Sequence, residues 1–250
     1  MDQKGFWSLI DAVNKEVSPE DTDGILKATQ EKLLQLPLRE ILDFHNLLTL
    51  YMDLADIPDL VAAATIINDG ISDDGFTDFR AWLVSRGREV YAEALKDADS
   101  LAKLNVKPEA TEFELYGYIG AYAYSVKCLQ EKKDLQKIQD NAYFTLKDKG
   151  VELVEHILKN YCVQDEFLME TKDPVIQSLY RMVYQRLRAY DIYEDARKHP
   201  LSGKRREEIR GELDIRPSME WKRSWASAEL QDILPDLYEK YQEQSYTMEV

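Results

Sequence analysis

Four aspartates fall within ten residues of one another in the first third of the chain: Asp69, Asp73, Asp74 and Asp78. Carboxylate oxygens are ligands that divalent cations prefer, so a cation site is one chemistry that this cluster allows. The spacing lacks the glycine and the terminal glutamate of a calcium-binding loop. The alternative is a capped helix, in which Ser72 or Asp73 accepts hydrogen bonds from free amides and the other acids lie in solvent. The capped helix is favoured, and no metal site is predicted.

An aromatic stripe follows these aspartates. At about 100° per residue, Phe76, Phe79 and Leu83 share one face of a helix that runs from Asp73 to about Arg86, and Trp82 lies at the edge of that face. Gly87 is expected to end the helix. The pattern predicts that the aromatic face enters a core.

Arg80 and Arg86 flank the stripe on either side, where a partly buried guanidinium needs acceptors. Asp74 and Asp78 face the opposite way. The preferred interpretation is a structural hub, in which the two arginines tie neighbouring helices together through buried acids. The alternative is an enzyme of unknown class, such as a hydrolase, with a polar site around Arg80, Arg86 and Asp78. The candidate functional or hub residues are Asp73, Asp78, Arg80, Trp82 and Arg86.

A second candidate surface is basic. Residues 197–223 carry nine Lys and Arg against five acids, in a chain whose formal net charge is −15. The densest part comprises Lys204, Arg205, Arg206 and Arg210. One interpretation is that this segment docks on the acidic body of the protein itself. The other is a patch for a phosphate-bearing ligand or an acidic partner.

Familiar catalytic templates are missing from the sequence. There is no GxxxxGK[ST], HExxH or GxSxG motif. Cys128 and Cys162 have no CxxC spacing, and His156 lies six residues before Cys162, so a Cys–His dyad would depend on the fold. His45 lies beside an apolar stripe, which is typical of a core histidine. No catalytic residue is assigned and no cofactor is predicted.

The elements that must position these residues are helices. Only 10 glycines and 8 prolines interrupt 250 residues, which favours long helices. Apolar periodicity predicts an all-α fold, a single multi-helix domain of about ten to twelve helices. Expected helices include 2–15, a stretch over 109–131 that Gly117 and Gly120 weaken, and a long helix from 173 to about 197.

Charge and composition limit the partners. The negative charge opposes general binding to nucleic acid or to an anionic membrane, because both carry phosphate. No run of 18 apolar residues and no secretory signal is present, and two cysteines make no disulfide framework. These features predict a soluble cytoplasmic protein whose partner is another protein.

Two segments carry a family resemblance. Phe6–Asp11 reads FWSLID, and Ser72–Leu83 reads SDDGFTDFRAWL. Both resemble signatures of a bacterial family called domain of unknown function 4240. The resemblance is specific over about residues 1–104, and after 125 only the pattern at 234–241 continues it. It implies a bacterial, helical, cytoplasmic protein and brings no established activity or catalytic residue.

These observations combine into one prediction of organisation and function. Residues 1–124 form a family-like helical core. Residues 125–250 form a helical elaboration, which contains the basic segment and a closing helix that packs back on the core. The predicted function is a non-catalytic interaction or regulatory module that acts through an acidic surface, with partner neutralisation or DNA mimicry as special cases.

Overall fold

The computed structural model describes residues 1–132, 134–163, 171–213, 215, 220 and 226–248, with side chains up to residue 241. Within these residues the chain is helical and contains no strand, which confirms the predicted all-α class. They form fourteen α-helices of seven or more residues and one of four, close to the predicted ten to twelve. Every helix among the described residues is too short or too polar to span a lipid bilayer.

The helices follow one another with short connections. In chain order they are α1 (Gln3–Glu16), α2 (Thr22–Leu34), α3 (Leu38–Leu54), α4 (Pro58–Ile67), α5 (Asp73–Ser85), α6 (Arg88–Lys96), α7 (Glu114–Gly117), α8 (Ile119–Glu131), α9 (Asp134–Leu146), α10 (Asp148–Lys159), α11 (Pro174–Leu187), α12 (Ile192–Lys198), α13 (Gly203–Glu212), α14 (Ser227–Ile233) and α15 (Pro235–Met248). Short 3-10 helices cover Ala98–Lys103, Pro108–Thr111 and Tyr161–Val163.

Two predicted helices are divided in the structure. The long helix expected from 173 to about 197 ends at Leu187, and α12 begins after Asp191. The Asp191 carboxylate accepts hydrogen bonds from the backbone N–H groups of Tyr193 and Glu194, so it caps a new helix. The stretch over 109–131 likewise consists of a 3-10 turn, α7 and α8, with the break after Gly117. The prediction of a single helix from 173 to 197 was wrong because apolar spacing continues across a capping aspartate.

The described chain forms two compact units whose segments alternate along the sequence. The first unit comprises Met1–Leu9, Lys15–Asn46 and Tyr118–Pro200. The second comprises Ile10–Asn14, Leu47–Gly117 and Leu201–Val250. The predicted division into 1–124 and 125–250 stays a prediction.

The core of the first unit lies among α8, α9, α10 and α11, where Val154, Val183 and Leu187 are fully buried. Two features hold α10 in place. A Cβ on Gly150 would lie 2.2 Å from the carbonyl oxygen of Ala142, so α9 and α10 cross at a distance that only glycine permits. The buried Gln30 side chain donates to the carbonyls of Leu158 and Lys159, which satisfies the end of α10. The first contact fixes α10 against α9, and the second fixes it against α2.

The second unit is built around α5. Tyr91 is fully buried and donates its hydroxyl hydrogen to the carbonyl of Tyr51, 2.7 Å away, which joins α6 to α3. The closing helix α15 contacts the 3-10 helix Ala98–Lys103. There the Asp99 carboxylate accepts hydrogen bonds from the backbone of Asp236 and Leu237, so a side chain of one element caps another.

Candidate functional site

The α5 helix begins where its sequence predicts. The Ser72 hydroxyl oxygen accepts a hydrogen bond from the backbone N–H of Gly75 at 3.0 Å, as expected of an N-cap serine. Asp73 and Asp74 occupy the first turn, where negative charge stabilises the positive end of the helix dipole. Gly87 has a φ of 95°, a left-handed conformation that favours glycine, and it separates the end of α5 from the start of α6. The capped-helix interpretation of Ser72 therefore agrees with the local geometry.

The aromatic stripe of α5 is buried, as its spacing predicts. Phe79 and Leu83 are fully buried, and Phe76 is nearly so. Trp82 is 2% exposed, so the buried surface of α5 extends to the edge of the stripe. The rings of Phe79 and Trp82 are 5.2 Å apart between centroids. This packing fixes the orientation of the charged side chains on the rest of α5.

Arg80 connects α5 to the end of α3. Its guanidinium donates to the carbonyl of Met52 at 3.3 Å and to the hydroxyl of Thr77 at 3.1 Å. It lies 3.7 Å from the carboxylate of Asp56, whose side chain is 50% exposed. Its centre is 5.1 Å from the centroid of the Phe76 ring. The hub interpretation placed buried acids here. The structure corrects this, because the Arg80 guanidinium donates to the Met52 carbonyl at the end of α3 and lies near the half-exposed carboxylate of Asp56.

Arg86 is held differently. Its Nε and one terminal nitrogen donate to the hydroxyl of Ser85 at 3.1 and 2.8 Å, and its guanidinium lies 5.7 Å from the Trp82 ring centroid. Burial lowers the pKa of Arg86 to about 10, which still leaves the group charged at neutral pH. Asn14 donates to the carbonyl of Ser85 at 3.0 Å, so α1 also meets this end of α5. In these contacts Arg86 folds back on the end of its own helix, since Ser85 and Trp82 both belong to α5.

Four carboxylates lie on the opposite side of α5, and we call them the acidic face: Asp74 and Asp78 from α5 itself, and Glu112 and Glu114 from the segment that packs against it. Desolvation by burial raises the pKa of Asp78 to about 6, and the negative charges of Glu114, Asp74 and Glu112 raise it as well. Glu112 and Glu114 are exposed and reach α5 because α7 and the preceding 3-10 turn pack against it. Asp78 was expected to be solvated, but it is partly buried.

Sequence reasoning did not include Glu112 and Glu114 in any site. The only indication in the local sequence is that both glutamates are neighbours of Phe113. Phe113 is buried, so the two glutamates point towards solvent. Their proximity to Asp78 depends on the chain turning back along α5. Asp69 and Asp73 are not among the groups that affect Asp78. Within the described residues, no group of three His, Cys, Asp or Glu could hold a metal ion.

The predicted basic patch lies on α13. One of its residues, Arg206, acts on the same carboxylate as Arg80, that of Asp53. Lys204, Arg206 and Arg210 are exposed, and Lys204 pairs with Glu208 at 3.7 Å. Burial raises the pKa of Asp53 at the end of α3, while the positive charges of Arg80 and Arg206 act in the opposite direction. Asp53 itself is exposed, so Arg206 lies near a surface acid of its own chain. Arg205 is partly buried. Residues 214, 216–219 and 221–223 of the basic segment, which include Arg216, Lys222 and Arg223, lie outside the described residues.

The cysteines and His45 have properties of core residues. Cys128 and Cys162 are buried and not joined in a disulfide. Burial raises the pKa of the Cys162 thiol to about 12, and it raises the pKa of Cys128 too, so neither is an activated thiolate at neutral pH. Burial lowers the pKa of His45 to about 4, which keeps the imidazole neutral.

Comparison with known proteins places the chain in a family. Neither the curated proteins nor the solved structures contain a match to it. The family model described as "Protein of unknown function (DUF4240)" matches residues 1–126, half of the chain, and confirms the predicted resemblance. The matched range includes α5 and all four residues of the acidic face. The chain therefore belongs to the DUF4240 family of proteins of unknown function.

Proposed function

We propose that this protein is a non-catalytic interaction module, in a cytoplasmic setting, that holds a basic segment of another protein on its acidic face. The observation that carries the proposal is Asp78, whose pKa is raised to about 6 by burial and by three neighbouring carboxylates. At neutral pH the four carboxylates repel one another. A lysine or arginine from a partner would relieve that repulsion and stabilise the ionised form of Asp78.

The charge of the whole chain supports the same proposal. A formal net charge of −15 attracts a basic partner over distances set by the ionic strength and raises its rate of association. Glu112 and Glu114 are exposed, so a partner can reach them without rearrangement of the core. The acidic face also rests on a rigid base, because the other side of α5 is buried.

The enzyme alternative has less support. Arg80 is engaged by the Met52 carbonyl and the Thr77 hydroxyl, and Arg86 by the Ser85 hydroxyl. Both arginines therefore have structural acceptors. One described groove, in the first unit, has seven lining residues, and none of them is titratable. A hydrolase or other enzyme would need an open pocket that gathers ionisable groups.

The test is affinity capture from the native host with a variant that neutralises the exposed part of the acidic face. The variant combines Asp74→Asn, Glu112→Gln and Glu114→Gln, three exposed positions whose change leaves the core intact. We expect the wild-type protein to recover a basic partner and the variant to lose it by about tenfold or more, measured by quantitative mass spectrometry.

A control variant removes the same number of charges elsewhere. Glu152→Gln, Glu155→Gln and Glu207→Gln lie on exposed surfaces of α10 and α13. The control should recover the partner as the wild type does, because the net charge alone does not define the binding face. Equal recovery by the acidic-face variant would refute the proposal. So would the absence of any charge-dependent partner together with turnover in a broad hydrolase screen.

A further inference from the structure

The α9 helix carries an aromatic side chain on the side away from the core. Phe144 is 84% exposed, the most exposed of the large apolar side chains in the described part of the chain. Its helix buries Ile138 and Ala142. At the helical spacing, Phe144 lies about 200° around the helix from Ala142. A phenylalanine at such a position contributes little to the core of its own unit. One exposed ring alone is common on protein surfaces, but contiguous exposed apolar surface marks contact sites, and Val175 in the adjoining groove is also exposed.

A groove lies beside Phe144, between α9 and α11. Its volume is about 350 Å³. Both helices contact neighbouring elements of the same core, and the Asn141 amide lies 3.3 Å from the sulfur of Met182. The seven residues that line the groove are all uncharged: Asn141, Thr145, Pro174, Val175, Ser178, Leu179 and Met182.

Phe144 and the groove share one face of the unit. Asn141 and Thr145 line the groove from α9, and Phe144 is three residues after the first and adjacent to the second. At the helical spacing, Phe144 lies about 60° from Asn141 around the helix. A protruding ring and an uncharged groove therefore occur side by side, which is the arrangement that a two-fold interface needs.

The local charge fits a second copy of this chain. Residues 134–149 and 172–187 together carry six Lys and Arg against four acids, in a chain of −15. Two strongly acidic molecules repel each other over most of their surfaces and can meet most easily where the local charge is not negative. Asp140 lies four residues before Phe144 and Lys147 three residues after it. In two antiparallel α9 helices centred near 143–144, Asp140 of each copy would lie near Lys147 of the other, the residue that follows α9.

We propose that this face binds a second copy of the chain in a symmetric dimer, with Phe144 of each copy in the α9–α11 groove of the other. Burial of apolar surface is the main favourable contribution to such an interface, and a phenylalanine ring supplies much of it. Two rings are buried in a symmetric pair, so the ring dominates the interface and a single substitution acts twice.

The test measures the mass of the full chain in solution across concentration, by sedimentation or light scattering. Wild-type protein should show a reversible monomer–dimer equilibrium. Phe144→Ser should raise the dissociation constant by about tenfold or more. The matched control Tyr118→Ser removes another exposed aromatic ring of the same unit and should dimerise as the wild type does. A wild-type protein that stays monomeric up to about 200 µM would refute the proposal. Unchanged dimerisation of Phe144→Ser would also refute it.

A charge exchange tests the two-fold pairing. Asp140→Lys and Lys147→Asp should each weaken the dimer, because each places like charges opposite one another. Lys147 has a φ of 57°. Its ψ of −142° lies outside the left-handed helical region, so the backbone here is strained for any L residue, and the stability of Lys147→Asp is measured beside its dimerisation. The double variant should recover dimerisation, and a double variant as weak as the single ones would overturn the symmetric arrangement.

Discussion

The α5 and α9 helices have the same length of 13 residues and treat their aromatic side chains in opposite ways. α5 buries Phe76, Phe79 and Trp82 and presents carboxylates to solvent. α9 buries small and aliphatic residues and presents Phe144 beside an uncharged groove. An aromatic ring that follows the apolar period of its helix stabilises the fold. A ring that departs from this period adds little to the fold and is available to a surface outside the monomer.

The two surfaces should also respond differently to solution conditions. Repulsion among the carboxylates of the acidic face depends on pH and is screened by salt. Apolar contact at Phe144 does not depend on the ionisation of the side chains that line the groove. The following predictions separate these behaviours, beginning with the largest expected effect.

Trp82→Ala should destabilise the protein by about 3–5 kcal/mol, because it leaves a cavity under α5. Chemical denaturation monitored by circular dichroism measures the loss. Trp82→Phe is the comparison that keeps a ring at the site, and it should lose less. A loss below about 1 kcal/mol for Trp82→Ala would contradict the view that the aromatic face of α5 is the base of the acidic face.

Arg80→Ala should lower the free energy of unfolding by about 1–2 kcal/mol, since it removes a charged donor from the Met52 carbonyl and the guanidinium that lies over the Phe76 ring. The loss is moderate because the Nε of Arg80 has no hydrogen-bond partner among the described residues and Asp56 is half exposed. Arg80→Lys should recover part of it. Full stability of Arg80→Ala with selective loss of partner capture would instead make Arg80 a binding residue.

Asp78→Asn should change the pH dependence of stability. Burial and the neighbouring acids raise the pKa of Asp78 to about 6 in the folded protein, above its ordinary value. The folded state therefore binds a proton more tightly than the unfolded state, and stability falls as the pH rises from about 4 to about 6. Asp78→Asn should be more stable than the wild type above about pH 6 and should lose that advantage below about pH 4.

Denaturation midpoints at several pH values measure this effect. Asp232→Asn, a change of the same kind at an exposed position of α14, should keep the wild-type profile. If Asp78→Asn follows the wild-type profile as well, the acidic face holds no unfavourable charge, and the observation behind the proposed function is removed.

Phe144→Ser should change the free energy of unfolding of the monomer by no more than about 0.5 kcal/mol, the usual range for surface substitutions. The reason is that the ring is exposed and packs little against its own chain. The measurement is thermal or chemical unfolding at a concentration where the wild type is monomeric. A loss comparable to that of Trp82→Ala would show that Phe144 packs within its own chain, and the contrast between α5 and α9 would fail.

Much of α5 could be predicted before its fold was known. The Ser72 cap, the end at Gly87 and the burial of Phe76, Phe79 and Leu83 all follow from side chains within a few residues of one another. The acceptors of Arg80 could not be predicted in the same way. Met52 lies far earlier in the chain, on another helix. Its carbonyl is open to Arg80 only because it belongs to the last turn of α3.

The sequence by itself determined the helical class, the family and the Ser72 cap of α5, because helix periodicity and N-caps depend on residues within one or two turns. The tertiary structure alone decided that Glu112 and Glu114 lie beside Asp78 and that Phe144 remains outside a core. Both outcomes depend on which helices pack together. Packing between segments far apart in the chain produces no pattern of residue spacing in the local sequence. The two surfaces proposed for binding are of this second kind, since each is made by residues that meet only when helices pack.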